Sequence, residues 1–369
     1  MTSRTYDTAA RRWEGVGPYY AMFPTWFADQ TIARYSGVGD CVFDPFAGRG
    51  TSVFSAAHQM RRGIGIEINP VGWIYAKVKL APAPSLQVED RIREIGQLAP
   101  GWRDGAQALP KFFHHCFSAP VREYLCAARE MLDWRQSVTD RTVMALLLIY
   151  LHGKSGAALS NQMRQTKAMA PDYAVRWWIE RDLSPPELDP VQFLVKRLAW
   201  RYAKGLPRVH RSEVHLGDCE EVLPTLRARI LRSRRRIKLL LTSPPYFSLT
   251  NYHYDQWLRL WLLGGLPDAR RVPGTHEKQG KFENESRYRM LLQRVFHDCS
   301  ALMASDSFVY VRTGADEVTF DATKDALKEA FPRHTFESTS ERYTGPTQTR
   351  LFGDQAQKSG EIDILMTSI

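Results

Sequence analysis

No apolar stretch in this sequence is long enough to cross a membrane. The longest, VMALLLIYL at residues 143 to 151, is under half of the roughly 20 residues a spanning helix needs. The N-terminus, MTSRTYDTAARRW, lacks the apolar core of a secretory leader, so a soluble, non-secreted, cytoplasmic protein is the expectation. Cysteine is sparse: Cys41, Cys116, Cys126, Cys219 and Cys299 are odd in number and scattered, with no CxxC pair and no Cys/His spacing suited to zinc. That excludes a disulfide scaffold and a zinc finger, and predicts reduced, mostly buried thiols. The His114–His115 pair has no metal partners at suitable spacing and reads as structural. There is no internal repeat and no low-complexity tract, and both the GxxxxGK[ST] phosphate loop and the GxGxxG dinucleotide turn are missing.

What remains is an ordinary globular composition. Apolar residues make up 44% and charged residues 24% of 369, enough for one large domain carrying an insertion, or for two domains. The charge balance is +10, and arginines (37) far outnumber lysines (13). Guanidinium groups bind phosphate bidentately and stack on bases, so the excess leans towards a nucleic-acid partner without establishing one.

Short β-rich runs bounded by turn residues recur at 41–46, 63–68, 213–217, 238–242, 308–312 and 362–368. The first five each lead into a loop and a helical pattern, the signature of a parallel sheet covered on both faces, so the fold class is α/β. KLLLT is continuously apolar and predicts a central strand; EIDILMTSI is predicted as an antiparallel partner at the end of the sheet. Between residues 83 and 207 the pattern is helical throughout, which predicts a largely helical insertion between 1–82 and 208–369. Two long polar loops, 264–285 and 339–360, are predicted in the second half.

Four strand ends carry the chemistry. CVFDPFAGRGTS, residues 41 to 52, is a strand, a Gly-rich turn and a helix start, where the backbone approaches a ligand closely and the first helical N–H groups supply donors. The second strand, GIGIE, ends in Glu67, placed where a carboxylate accepts the two hydroxyls of a ribose. The third leads into HLGDCEE and puts Asp218 on the same edge. The fourth runs into TSPPYF, whose consecutive prolines fix an extended backbone without N–H groups and leave the preceding carbonyls free to accept. Ser243 and those carbonyls are placed to hold an amino group, with Tyr246 beside them as a stacking surface.

On DPFAGRGT and TSPPY together the sequence resembles the S-adenosylmethionine-dependent DNA amino-methyltransferases, which methylate N4 of cytosine or N6 of adenine. The resemblance extends to GPYYAMFPTWFADQTI before the first motif and to the final strands, about two thirds of the chain; residues 83–207 lie outside it. It implies a Rossmann-like class I methyltransferase fold with a mostly parallel seven-stranded sheet. It further implies that Asp44, Phe46, Ala47, Gly48, Gly50 and Thr51 cradle S-adenosylmethionine, that Phe23 touches its methionine end, Glu67 its ribose and Asp218 its adenine. Ser243, Pro244, Pro245 and Tyr246 would hold a base flipped out of double-stranded DNA, with Tyr246 or Phe247 offering it a face. The carbon-5 cytosine methylases resemble one another in a Pro-Cys nucleophile, and no cysteine here sits in such a turn. Ser at the head of the tetrad is commoner among N4-cytosine enzymes, which makes N4-cytosine the expected target and N6-adenine the alternative. A guanine-N2 RNA methyltransferase and an inactive DNA-binding subunit are the competing readings.

The resemblance also implies a prokaryotic or phage-encoded setting, with a cognate restriction nuclease as a possible separate partner. Within the helical insertion, Lys154, Asn161, Gln162, Arg164, Gln165 and Lys167 are of the types that read base edges and phosphates, and are the candidate DNA contacts. Arg232, Arg234, Arg235 and Arg236 form either a phosphate patch or a solvated turn. Tyr252, Tyr254, Tyr343, Gln348 and Arg350 are further candidates for contact with DNA.

Overall fold

The computed structural model describes residues 6–18, 24–232, 236–248, 252–269, 282, 284–341 and 360–369. Helices α1 (Ala9–Glu14) and α2 (Thr25–Tyr35) precede β1 (Cys41–Asp44), α3 (Thr51–His58), β2 (Arg62–Glu67) and α4 (Pro70–Leu80). Then come α5 (Ser85–Leu98), α6 (Arg103–Gln107), α7 (Lys111–Cys116), α8 (Ala119–Met131), α9 (Val138–Tyr150), α10 (Pro171–Ile179) and α11 (Pro190–Tyr202), with no strand among them. The chain continues through β3 (Glu213–Leu216), α12 (Cys219–Arg232), β4 (Ile237–Thr242), α13 (Tyr252–Asp255), α14 (Trp257–Leu262), α15 (Glu285–Ser300), β5 (Met303–Gly314), α16 (Glu317–Ala330), β6 (His334–Glu341) and β7 (Glu361–Ser368).

The strands form one sheet in the order β3-β2-β1-β4-β5-β7-β6. All neighbours are parallel except β7, which runs antiparallel between β5 and β6. This strand order is that of the Rossmann-like methyltransferase fold, and it bears out the expected α/β class and the antiparallel direction of the final strand; its expected place at the end of the sheet is corrected, because β7 inserts between β5 and β6 and the edge strand is β6. Successive strands step one way from β1 to β3 and the other way from β4 onward. The crevice between the carboxyl ends of β1 and β4 is therefore the topological switch point, where open α/β sheets take their ligands.

Period-two alternation sends neighbouring residues to opposite faces. Phe43 and Leu240 enter the core under α12, α15 and α16, whereas Val42, Leu239 and Leu241 pack against Phe27, Ala28 and Ile32 of α2. A third and larger core joins α4 and α14 to the helices of residues 85–202, so these helices are packed onto the sheet's own helices through shared apolar side chains. All five cysteines are buried and none is disulfide-bonded. One strand escaped the sequence reading. β6, HTFESTSE, alternates weakly and is solvent-exposed along most of its length, so its polar residues read as part of a loop; residues 339–341 of the predicted 339–360 loop belong to it.

Candidate functional site

The Gly-rich turn and the Pro-Pro turn meet at the switch point, and Asp44 joins them. Its Oδ1 accepts from Phe46 N at 3.0 Å and from Thr242 Oγ1 at 2.6 Å, and its Oδ2 from Ser52 Oγ. One carboxylate thus holds the turn after β1, the first turn of α3 and the last residue of β4, immediately before Ser243. It is 2% exposed. Burial drives its pKa up to about 6 against the opposing pull of the Ser52, Thr242 and Phe46 donors.

The turn itself depends on glycine. Gly50 caps α3 at φ 72°, and a Cβ there would lie 2.6 Å from Ala76 Cβ of α4. Ala47 N donates to Ile66 O at 2.9 Å, which lays the turn across the end of β2. Glu67 ends that strand, with its Oε1 accepting from Asn69 N at 2.8 Å, and Gly217 N donates to Glu67 O at 3.0 Å. Asp218 follows directly, its Oδ1 accepting from Glu220 N at 3.0 Å at the start of α12. Both carboxylates are buried at adjoining strand ends. Ile68, next to Glu67, and Leu216, two before Asp218, line an open cleft of about 440 Å³ whose walls combine Trp134, Trp257, Leu260 and Leu263 with the polar Arg135, His253 and Asp268. Two carboxylates, a turn of close-approach backbone and a neighbouring cleft with apolar walls suit the parts of a nucleoside: diol to carboxylate, planar ring to the apolar wall.

At the end of β4 the turn Ser243–Tyr246 is braced on three sides. Tyr288 Oη of α15 donates to Pro245 O at 2.8 Å, and Phe247 N donates to Thr319 Oγ1 of α16 at 3.0 Å. The Tyr246 ring lies against Gly314, where a Cβ would come within 3.3 Å of Cδ2. Ser243 Oγ donates to Tyr246 Oη at 3.5 Å, and Tyr246 Oη donates to Glu361 Oε1 at 3.3 Å. Burial, and the Glu361 carboxylate beside it, push the Tyr246 phenol above its ordinary pKa, so it remains a hydrogen-bond donor at neutral pH.

Thr242, Gly314, Thr319, Tyr288, Arg312 and Glu361 are the neighbours the sequence reading missed. The signal for Glu361 was present as two carboxylates, Glu361 and Asp363, two apart on a predicted strand. Their common partner, Arg312, is fixed only by the antiparallel pairing of β5 with β7. Phe23 lies outside the described residues, as do Arg234, Arg235, Tyr343, Gln348, Arg350 and the Tyr252 side chain. Trp257 and Trp261 are core, in keeping with their helical spacing.

The candidate DNA contacts divide. Asn161 is 1% exposed; its amide donates to the His115 and Leu183 carbonyls and its Oδ1 accepts from Gln162 N. A side chain spent on anchoring its own loop has no edge to offer a base, which corrects the expectation for Asn161. Lys154 and Gln165 are exposed; Gln162, Arg164 and Lys167 are half-buried, with Lys167 paired to Asp255 at 2.5 Å. The loop carrying them is pinned from below by the fully buried Arg259, which donates to Leu148 O at 2.8 Å and Gln165 O at 2.6 Å. Arg236 sits at the start of β4 with its guanidinium on Ala301 O. Six residues of strand, roughly 20 Å, separate it from the Ser243–Tyr246 turn, so it belongs to the opposite edge of the sheet. His114 Nε2 contacts Leu109 O at 3.0 Å, and among the described residues no cluster of side chains suited to a metal occurs.

Comparison with known proteins gives the following. Residues 2–72 match the family model described as DNA methylase. That stretch includes the Gly-rich turn and Glu67 and ends before the Pro-Pro turn. A segment of 66 residues is 35% identical to the Type II methyltransferase M.MjaII of Methanocaldococcus jannaschii, covering 18% of this chain and only 12% of that relative's length. Among solved structures, the rRNA methyltransferase aviRa from Streptomyces viridochromogenes aligns over 96% of this chain and 90% of its own, with 13% identity and a TM-score of 0.33. No helix among the described residues is long and apolar enough to cross a membrane.

Proposed function

We propose that this protein is an S-adenosylmethionine-dependent DNA amino-methyltransferase that methylates N4 of a cytosine flipped out of the duplex. The observation that carries the reading is the junction of the two turns. Asp44 of DPFAGRGT accepts from Thr242 of TSPPY at 2.6 Å, so a cofactor-type turn and an amine-holding turn share one carboxylate at the switch point of the sheet.

In this reading Glu67 takes the ribose hydroxyls, Asp218 the adenine amino group, and the cleft beside Ile68 and Leu216 the adenine ring. Gly48, Gly50 and Thr51 line the path to the methionine end, with Phe46 and Ala47. The cofactor, when bound, supplies an electrophilic methyl group. The protein's work is to orient the amine. Ser243 Oγ and the carbonyls before Pro244 and Pro245 accept from the exocyclic N–H groups, which favours a pyramidal nitrogen with its lone pair free for in-line attack. The ring of Tyr246 offers the extruded base a face. Lys154, Gln162, Arg164, Gln165 and Lys167, on the loop held by Arg259, are the proposed contacts to the duplex, and residues 83–207 the proposed target-recognition region.

The test is methyl transfer from tritiated S-adenosylmethionine by the purified protein to double-stranded DNA and, separately, to structured RNA. Label in DNA alone is expected. Label in RNA alone would overturn the substrate assignment.

A further inference from the structure

The site contains a hydrogen-bonded path leading away from the amine-holding serine that methyl transfer itself leaves unexplained. Ser243 Oγ donates to Tyr246 Oη at 3.5 Å, and Tyr246 Oη donates to Glu361 Oε1 at 3.3 Å. Both donors point outward, so Ser243 Oγ keeps its lone pairs towards the base. The far end of the path is wet: the Glu361 side chain is 42% exposed. Its position is fixed from behind. Arg312 Nη1 lies 3.6 Å from Glu361 Oε2, and the same guanidinium is clamped by Asp363 through two contacts of 2.6 Å and stacked 3.7 Å above Phe27 of α2. Arg312 is 3% exposed, so this anchor has little freedom to move.

Resting on the methyltransferase reading, we propose that Ser243, Tyr246 and Glu361 form the proton exit of the active site. The amino nitrogen forms its bond to the methyl carbon while the carbon–sulfur bond breaks and leaves its electron pair on sulfur. The nitrogen must then lose one proton. That proton passes to Ser243 Oγ as the serine proton passes to Tyr246 Oη and the tyrosine proton to Glu361, which releases it to water. The two long contacts are of the kind that tighten when a substrate is seated. A hydroxyl at the fourth tetrad position thereby gains a role that its aromatic ring does not supply.

Tyr246 from the turn, Arg312 from β5 and Asp363 along β7 lie around Glu361, and its cross-strand partners are Gly314 of β5 and, on the other side, the like-charged residue Glu341 of β6. Glu361 and Tyr246 are therefore tested by substitutions that preserve shape, Tyr246→Phe and Glu361→Gln, with Glu361→Asp as the conservative rescue. Single-turnover methylation is measured from pH 4 to 8, a window that reaches the ordinary carboxylate range, on DNA the wild type modifies. The wild-type rate is expected to rise with pH along an acid limb. Both variants should be about 10- to 100-fold slower at neutral pH and lack that limb, Glu361→Asp should recover it, and the double variant should be no slower than the slower single. Calorimetric affinity for S-adenosylmethionine should be unchanged in all. Independently of turnover, the ¹³Cζ-tyrosine resonance that disappears in Tyr246→Phe should shift in Glu361→Gln. A Tyr246→Phe enzyme with wild-type rate and acid limb would overturn the path, as would a Glu361→Gln enzyme slowed equally at every pH. Absence of methylation by the wild type would instead refute the reading beneath it.

Discussion

Tyr246→Ala and Pro244→Ala are each expected to reduce methyl transfer by about 10³-fold while leaving affinity for S-adenosylmethionine within about threefold of wild type. The division follows from position. The groups proposed for the cofactor, Glu67, Asp218 and the turn after β1, draw on β1, β2 and β3, whereas those proposed for the amine follow β4. Removing the Tyr246 ring empties the wall it forms against Gly314 and cuts the contact to Glu361. Replacing Pro244 restores a backbone N–H and a free φ in a stretch whose carbonyls must stay aimed at the amine. Tyr246 is only half-buried and Tyr288 still holds the turn through Pro245 O, so the fold should survive both changes. Isothermal titration with the cofactor and single-turnover kinetics check the pair; parallel loss of binding and folding would contradict this separation of roles.

Asp44→Ala is expected to act on stability as strongly as those two act on turnover. It strips the acceptor from three donors, Phe46 N, Ser52 Oγ and Thr242 Oγ1, in a buried site. At about 1–3 kcal/mol for each unsatisfied group, that outweighs the relief from no longer burying a carboxylate, roughly 3 kcal/mol for a pKa moved from 3.8 to about 6. A net loss of about 3 kcal/mol follows, with cofactor binding weakened because the turn is no longer tied to α3. The same shift gives a pH signature. A folded-state pKa above the unfolded value means that Asp44 stabilises the fold below about pH 4 and loses that contribution as pH rises through about 6. The difference in unfolding free energy between wild type and Asp44→Asn, from urea titrations, should therefore fall by roughly 2.5 kcal/mol from pH 4 to pH 7. A difference independent of pH would mean that Asp44 is not buried as a carboxylate in the native protein.

Much of this was legible before the fold was known, because the informative features are local. The strand, glycine turn and helix start of residues 41–52 and the strand and double proline of 237–245 each declare their geometry over a dozen residues or fewer. Glu67 and Asp218 could be placed on the same edge because every parallel strand in such a sheet ends on that side. What could not be read depends on pairing across distance. Thr242 stands inside a recognisable motif, but its hydroxyl matters because β4 lies against β1, which brings it to Asp44, 198 residues away in sequence. Glu361 reaches Tyr246 and Arg312 only because β7 inserts antiparallel beside β5, with Arg312 opposite Asp363. Asn161 was misread for the complementary reason: composition shows an amide on a polar loop but not that the loop folds back and buries it between His115 and Leu183.

The two turns together are proposed to methylate the amino group of cytosine in DNA. Nucleoside mass spectrometry tests it most directly, on DNA from a host lacking its own DNA methylation that expresses either the wild type or Tyr246→Ala. N4-methylcytosine in the wild-type sample alone is the result predicted here. N6-methyladenine in its place would contradict the assignment of the base drawn from Ser243, and unmodified DNA from a host producing folded, cofactor-binding protein would contradict the claim itself.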